Sequence, residues 1–161
     1  MSLPSSIRGY VLTPDDGEAL WFNKGLLIVK ATAEQTEGKY SAVEMRGRKG
    51  FSAPLHVHHS EDEFFIVLAG DVRFQLGDEA FEAKTGSLMY GPREVPHSFH
   101  VDSTEARLLL LFGPVPDRNG ATVTAVLPIA RNAMPPTIVS IAIIVTPKGL
   151  CFCSCSMMTM Y

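Results

Sequence analysis

The feature that most constrains this chain is a succession of short β-prone runs that extends from residue 8 to about residue 113. The runs are rich in Val, Ile, Leu, Phe and Tyr, are separated by Gly, Pro and Asp, and show little helical periodicity. The dipeptides Gly70-Asp71 and Gly77-Asp78 are typical of hairpin turns, because glycine reaches positive φ without a Cβ clash. We therefore predict an all-β domain of mostly antiparallel strands, arranged as two stacked sheets or a closed barrel.

The runs and the turns between them predict the following strands: Gly9–Leu12, Ala19–Phe22, Leu26–Ala31, Tyr40–Gly47, Glu63–Ala69, Asp71–Leu76, Glu79–Ala83, Ser87–Tyr90, Ser98–Val101 and Ala106–Phe112. The polar segment His59–Asp62 is predicted to be a turn that precedes the strand beginning at Glu63. The strands account for one domain, which is what a chain of 161 residues can form with a core of ordinary size.

Composition excludes several classes of partner. The net charge is −3 and the chain has no basic run, which argues against binding to nucleic acid. Residues 1–11 contain a single basic residue and no continuous apolar core of the kind that a secretory signal has. The apolar stretch Thr137–Thr146 is about half as long as a membrane span requires. We expect a cytoplasmic protein with no membrane partner.

The end of the chain differs in composition from the rest. Beyond Asp117 it has no acidic residue, and Ile138–Val145 is a β-prone run that would aggregate if it were exposed. Two interpretations stay open: extra strands packed on the barrel or across a dimer interface, or a segment foreign to the ancestral domain, acquired by frameshift or fusion. We expect a β-barrel domain over residues 1–115 and an atypical apolar extension over residues 116–161.

All three cysteines lie in this extension, at Cys151, Cys153 and Cys155. An odd number of cysteines with no other cysteine to pair with rules out a disulfide framework. Three thiols on one strand face could bind a soft metal, but the chain lacks a further spaced ligand pair, which favours a small apolar strand.

All five histidines lie in two short segments near the middle of the chain. His56 and His58 are two residues apart, so an extended backbone directs both imidazoles to one face. Glu63 opens the next apolar strand and can bring a carboxylate beside them, and His97 can supply a third imidazole from a different strand. We predict that His56, His58, Glu63 and His97 bind one divalent transition metal.

The other two histidines are predicted to lie outside this site. His59 directly follows His58, and His100 is an odd number of residues from His97, so strand alternation directs both side chains away from the metal. Each histidine taken alone would also fit an exposed polar position. The combined spacing of the four predicted ligands is what indicates a metal.

One segment of the chain resembles the first cupin motif in full. The pattern is Gly50, five residues, His56-Val57-His58, four residues, Glu63, six residues and Gly70. The phrases PLHVHHSEDEFFIVLAG and PREVPHSFH are most similar to small bacterial single-domain cupins of the quercetin 2,3-dioxygenase type. The resemblance covers roughly residues 10–114, and the tail has no counterpart in it.

A second segment, with Gly86, Pro92 and His97, resembles the second cupin motif. It departs from the family in having Glu94 where Gly is usual and Val101 where Asn is frequent. Glu94 would stand in a turn where a Cβ is mildly unfavourable. The ligand His97 is not affected by either departure.

The resemblance implies a cupin double-stranded β-helix, or jelly-roll barrel, and a metal-dependent dioxygenase acting on a flavonol-like or enediol small molecule. Glu63 would then also be a catalytic residue, taking a proton from a bound enol or phenol. Two alternatives stay open: a metal-dependent isomerase, epimerase or decarboxylase, and a non-enzymatic small-molecule-binding cupin. Cupin barrels commonly pair, and the apolar tail gives a further reason to expect a homodimer.

Three imidazoles and one carboxylate suit Fe, Mn, Ni, Cu or Zn, so the metal stays open. Strand alternation places bulky apolar residues on the same strand faces as Glu63 and His97. These neighbours are predicted either to line a pocket for an apolar or aromatic substrate or to be ordinary barrel core. The predicted pocket residues are Met45, Phe65, Val67, Phe99, Val101 and Phe112.

Overall fold

The computed structural model describes residues 9–22 and 24–114, together with the short pairs 126–127 and 143–144. This part of the chain is all-β, and it has no helix that could cross a membrane. The main strands are β1 (Glu18–Phe22), β2 (Gly25–Ala31), β3 (Ser41–Arg48), β4 (Ser52–His56), β5 (Glu61–Ala69), β6 (Asp71–Leu76), β7 (Glu79–Lys84), β8 (Leu88–Gly91), β9 (His97–Val101) and β10 (Glu105–Pro114). Two further strands, β11 (Val126–Leu127) and β12 (Ile143–Ile144), pair with each other.

The main strands form two antiparallel sheets. One has six strands in the order β1-β2-β3-β10-β5-β8, and the other has four in the order β4-β9-β6-β7. From β3 to β10 the chain passes between the sheets in the order of an eight-stranded jelly roll, and the β1–β2 hairpin extends the larger sheet. The predicted all-β jelly-roll fold is confirmed.

The core lies between the two sheets, where alternate side chains of each strand point inward. In β5 the inward residues Phe65 and Val67 are both 1% exposed, and in β9 Phe99 and Val101 are 3% and 0% exposed. Phe65 packs edge-on against Phe74 of β6, with ring centroids 5.3 Å apart. These contacts join the larger sheet to the smaller one.

Most of the predicted strands are confirmed within a residue or two, but Gly9–Leu12 is not a strand. This segment is attached to the larger sheet by side chains instead of by a backbone ladder. The hydroxyl of Tyr10 donates to the carbonyl oxygen of Lys30 over 2.8 Å. The Lys30 ammonium holds the turn that follows the segment, donating to the carbonyl oxygens of Pro14 and Asp16 over 2.6 and 2.7 Å.

Sequence reasoning missed β4, because Pro54 reads as a strand breaker. The strand lies at the edge of the smaller sheet, where a missing amide donor leaves no neighbour unpaired, and its pairing with β9 is irregular between Ala53 and His56. The predicted turn His59–Asp62 is also too long, because β5 already begins at Glu61.

The two predicted hairpin turns have different roles. Gly77-Asp78 connects β6 to β7, which are hydrogen-bonded neighbours, so this prediction is confirmed. Gly70-Asp71 instead connects β5 to β6, which belong to different sheets. Gly70 has a φ of 87°, and a Cβ there would overlap with the carbonyl oxygen of Glu105. This turn carries the chain from one sheet to the other.

The predictions for the tail concern residues that lie almost entirely outside the described part of the chain. Of residues 116–161 the structure describes only β11 and β12. The predicted domain boundary at residue 115 and the interpretations of Cys151, Cys153 and Cys155 therefore stay predictions.

Candidate metal centre

Both sheets supply side chains to one point at the end of the sandwich. His56 is the last residue of β4, and His97, its register partner, is the first residue of β9. Glu63 is the third residue of β5 in the other sheet, and His58 lies in the connection between β4 and β5. The structure thus brings together all four residues that the sequence predicted as ligands.

The four side chains direct their ligand atoms towards one another. One ligand atom from each residue lies within 4.8 Å of the others. The Glu63 Oε2 atom is 2.9 Å from Nε2 of His97 and 3.3 Å from Nε2 of His58. The ring centroid of His56 is 4.6 Å from that of His97 and 5.0 Å from that of His58.

The other ring nitrogen of each histidine has an oxygen partner that fixes its protonation. His56 and His97 each place Nδ1 next to the backbone carbonyl oxygen two residues earlier, at 2.8 and 3.0 Å. His58 places Nδ1 2.7 Å from Oε1 of Glu61. Because these oxygens can only accept hydrogen bonds, each Nδ1 carries a proton and donates a hydrogen bond, and Nε2 is the atom that faces the shared space.

This arrangement fits a divalent transition metal. Bonds of about 2.0–2.2 Å to nitrogen and oxygen put adjacent ligand atoms about 3 Å apart, which is close to the two separations measured from Glu63 Oε2. Metal-bound histidines typically donate their second ring nitrogen to a carbonyl or carboxylate, as all three do here. The donor set of three imidazoles and one carboxylate suits several first-row metals.

The cluster is deeply buried, and burial together with hydrogen bonding shifts its pKa values. Burial alone would raise the pKa of Glu63, but hydrogen bonds from His58 and His97 lower it to about 2. Burial alone would lower the pKa of His58, but its bonds to Glu61 and Glu63 raise it to about 10. For His56, burial prevails and lowers the pKa to about 4. At neutral pH the metal-free cluster therefore holds an ionised Glu63 and a protonated His58.

The remaining histidines lie outside the cluster, as predicted. The His59 side chain is 45% exposed and bonds through Nδ1 to Glu94 over 2.9 Å, while His100 bonds to Asp102 over 2.8 Å. Glu94 has a φ of 64°, in the left-handed region that favours glycine, as its place in the second motif suggested.

Sequence reasoning missed one buried residue of the site, Glu61. It is 8% exposed and bonds to His58. A strand predicted to begin two residues earlier would have placed Glu61 on the same face as Glu63, and that alternation is the signal that could have found it.

An apolar cavity of about 40 Å³ adjoins the cluster. Of the predicted pocket residues, Met45, Phe65, Phe99 and Phe112 line it. Val67 and Val101 do not line it and belong to the core, because they lie further along their strands from the ligands. The lining side chains that the prediction omitted are Phe22, Leu27, Ala53, Pro54 and Leu110.

Residues 43–112 match the family model of the cupin domain. The chain belongs to the cupin superfamily. This cupin is 32% identical to quercetin 2,3-dioxygenase of Bacillus subtilis over 108 residues, which are 67% of this chain but only 32% of that protein. The chain thus spans about a third of the length of this curated relative.

Two solved structures illustrate the likeness of the fold. KdgF from Halomonas sp. superposes with a TM-score of 0.60 at 17% identity, covering 68% of this cupin and 97% of KdgF. An oxalate decarboxylase of Bacillus subtilis with Mn(II) centres superposes with a TM-score of 0.53 at 25% identity, covering 74% of this cupin and 34% of the decarboxylase.

We expect the purified protein to bind one divalent metal ion per chain. His97→Ala should weaken binding more than about 100-fold, because loss of a metal ligand costs more than loss of a residue that only hydrogen-bonds to a ligand. Isothermal titration calorimetry with Zn²⁺ or Co²⁺ measures this, with elemental analysis for the stoichiometry. His59→Ala is the matched control and should bind as the wild type does. Equal affinities for all three proteins would contradict the site.

The affinity for metal should increase with pH, by up to about tenfold per unit between pH 7 and pH 9. In this range Glu63 and His56, with pKa values of about 2 and about 4, have already lost their protons, while His58, with a pKa of about 10, still holds one. The metal must displace that proton, and the competition weakens as pH rises. Calorimetric titrations across this range test the slope, and an affinity independent of pH would be the contrary result.

Proposed function

We propose that this cupin is a metal-dependent dioxygenase that acts on an enediol or flavonol-like small molecule. The observation that carries the proposal is the convergence of three imidazole nitrogens and one carboxylate oxygen on a buried point beside an apolar cavity. A six-coordinate ion held by four protein ligands keeps two positions for other molecules. The likeness to quercetin 2,3-dioxygenase supports oxygen chemistry at such a site.

The residues of this chain have distinct roles in the proposal. His56, His58 and His97 would hold the ion through Nε2, together with Glu63. The ion would polarise an enol oxygen and, if it is redox-active, exchange electrons with dioxygen. The Glu63 carboxylate is ionised at neutral pH and can accept a proton from the substrate at Oε2. Its low pKa makes it a weak base while both histidine contacts persist, so proton transfer requires that a contact be released.

The cavity restricts the substrate. At about 40 Å³ it has room for a few water molecules, and its lining contains no Lys or Arg. An uncharged or enolic group of small size suits this space, because the walls away from the histidine and glutamate cluster are apolar. A complete flavonol exceeds the volume, so its binding requires movement of side chains such as Phe22, which is only partly buried.

We expect oxygen consumption when the protein loaded with Fe²⁺, Mn²⁺, Ni²⁺ or Cu²⁺ is mixed with an enediol or a flavonol. An oxygen electrode measures the rate over a panel of both substrate classes. Glu63→Gln should reduce the rate by about 100-fold or more, in the range of general base catalysis, and His59→Ala should leave it unchanged. The Zn²⁺ form serves as the redox-inactive control.

Two further functions are distinguished by the same assay. The small cavity and the likeness to oxalate decarboxylase favour a second candidate, in which the metal is a Lewis acid for decarboxylation or isomerisation. Turnover without oxygen consumption would replace the dioxygenase proposal with this one. Metal and ligand binding without any turnover would indicate a non-enzymatic binding module.

We also propose a homodimer. Strand β8 is an edge of the larger sheet and exposes Leu88 and Tyr90 by 60% and 44%, next to Leu68 of β5, which is 38% exposed. Phe64 stacks on Tyr90 with ring centroids 4.8 Å apart and continues this apolar face across the two strands. A second copy of the chain would cover the edge and the face together. We expect such cover because an exposed apolar edge strand promotes aggregation.

Light scattering after size exclusion should give about twice the 17.6 kDa mass of one chain. Leu88→Lys should shift the protein towards the monomer, because it places a charge on the proposed contact. Lys84→Ala, on β7 of the other sheet, is the control and should leave the mass unchanged. A wild-type mass equal to that of one chain would contradict the dimer.

A further inference from the structure

We propose that Glu61 is a positioning residue that holds His58 in the orientation and tautomer in which it binds the metal. The inference rests on the proposed metal site but not on the reaction that the site performs. Glu61 has no place in the predicted ligand set, and its ligand atoms are not among the four that converge.

The His58 imidazole is held at both of its nitrogens. Nδ1 is 2.7 Å from Oε1 of Glu61, and Nε2 is 3.3 Å from Oε2 of Glu63. Both carboxylates are buried, with Glu61 8% and Glu63 2% exposed. Glu61 lies behind the ring and accepts a hydrogen bond from Nδ1–H, which keeps that proton on Nδ1 and leaves Nε2 directed at the other ligands.

His58 needs such a partner more than the other two histidines do. His56 and His97 stand at the ends of hydrogen-bonded strands. Each Nδ1 atom bonds to the backbone carbonyl oxygen two residues earlier in the chain. His58 lies in the connection between β4 and β5, outside any ladder. Its backbone is held by the Glu94 amide, which donates to the His58 carbonyl oxygen over 2.8 Å, but this contact does not orient the ring.

A carboxylate is also a stronger acceptor than a carbonyl group. A charged acceptor at Nδ1 increases the electron density at Nε2 and so strengthens the bond from that nitrogen to a metal. Two carboxylates two residues apart in β5 therefore have separate tasks. Glu63 faces the metal position, and Glu61 faces the back of a histidine ligand.

The chain offers a matched control for this pair. Glu94 bonds to Nδ1 of His59 over 2.9 Å, so it forms a second carboxylate–histidine pair of similar length. That pair is exposed, and His59 is not among the converging ligands. A change from carboxylate to amide in the Glu94 side chain repeats the chemistry of the change at Glu61, and it keeps the backbone N–H that donates to the His58 carbonyl oxygen.

The test compares Zn²⁺ affinity, by calorimetry with a competing chelator, for the full-length wild type, Glu61→Ala, Glu61→Gln and Glu94→Gln. We expect Glu61→Ala to weaken binding about 10- to 100-fold. Glu61→Gln keeps an acceptor oxygen and should recover most of this loss, and Glu94→Gln should stay within about twofold of the wild type, as for an exposed pair. If Glu61→Ala does not fold, the comparison uses Glu61→Gln, whose Zn²⁺ affinity should be about threefold to tenfold lower than that of the wild type.

A second measurement separates positioning from a general structural role. In ¹⁵N-resolved NMR spectra of the Zn²⁺-loaded wild type, the His58 Nδ1 proton should be protected from exchange, and in Glu61→Ala that protection should be lost while the His56 and His97 signals persist. Wild-type affinity in both Glu61 variants would overturn the proposal while leaving the metal site intact. If the wild type itself binds no Zn²⁺, the metal site and this proposal fall together.

Discussion

A carboxylate buried among three imidazoles is the interaction on which the rest of the site depends. Glu63 is 2% exposed and lies at the contact between the two sheets, so its charge has lost nearly all contact with water. A buried charge of this kind is costly unless hydrogen bonds and an opposite charge offset it. In the metal-free protein the protonated His58 and the His97 ring provide that offset. A divalent ion would provide it more strongly, which gives the cluster a physical reason to bind one.

The jelly-roll topology explains how residues so far apart in sequence reach this point. Because β4 and β9 are antiparallel neighbours, the end of one lies beside the beginning of the other, and His56 and His97 become register partners. Strand β5 follows β4 but belongs to the opposite sheet, so Glu63 faces these histidines across the core. The same alternation that directs Glu63 inward also buries Phe65, and the apolar cavity is therefore continuous with the ligands.

The pattern of the sequence predicted most of this arrangement and failed where tertiary contacts outweighed local preference. The strands of the core were found because their alternation is strong, and the four converging residues were found because their spacing is that of a whole motif. Gly9–Leu12 has the residues of a strand but is attached through the Tyr10 side chain, which donates to the carbonyl oxygen of Lys30. Strand β4 contains a proline and exists because β9 lies beside it. Glu61 was missed because a polar run between two strands reads as a turn.

The sequence by itself predicted the fold class and the four residues that converge, since both predictions depend on residue type and on spacing within short segments. Only the tertiary structure decided which nitrogen of each histidine faces the shared space, because that depends on an oxygen atom placed behind the ring. It also separated Phe65 and Phe99, which line the cavity, from Val67 and Val101, which do not. Alternation assigns a face to a residue, but the depth of that residue between two sheets depends on how the sheets pack.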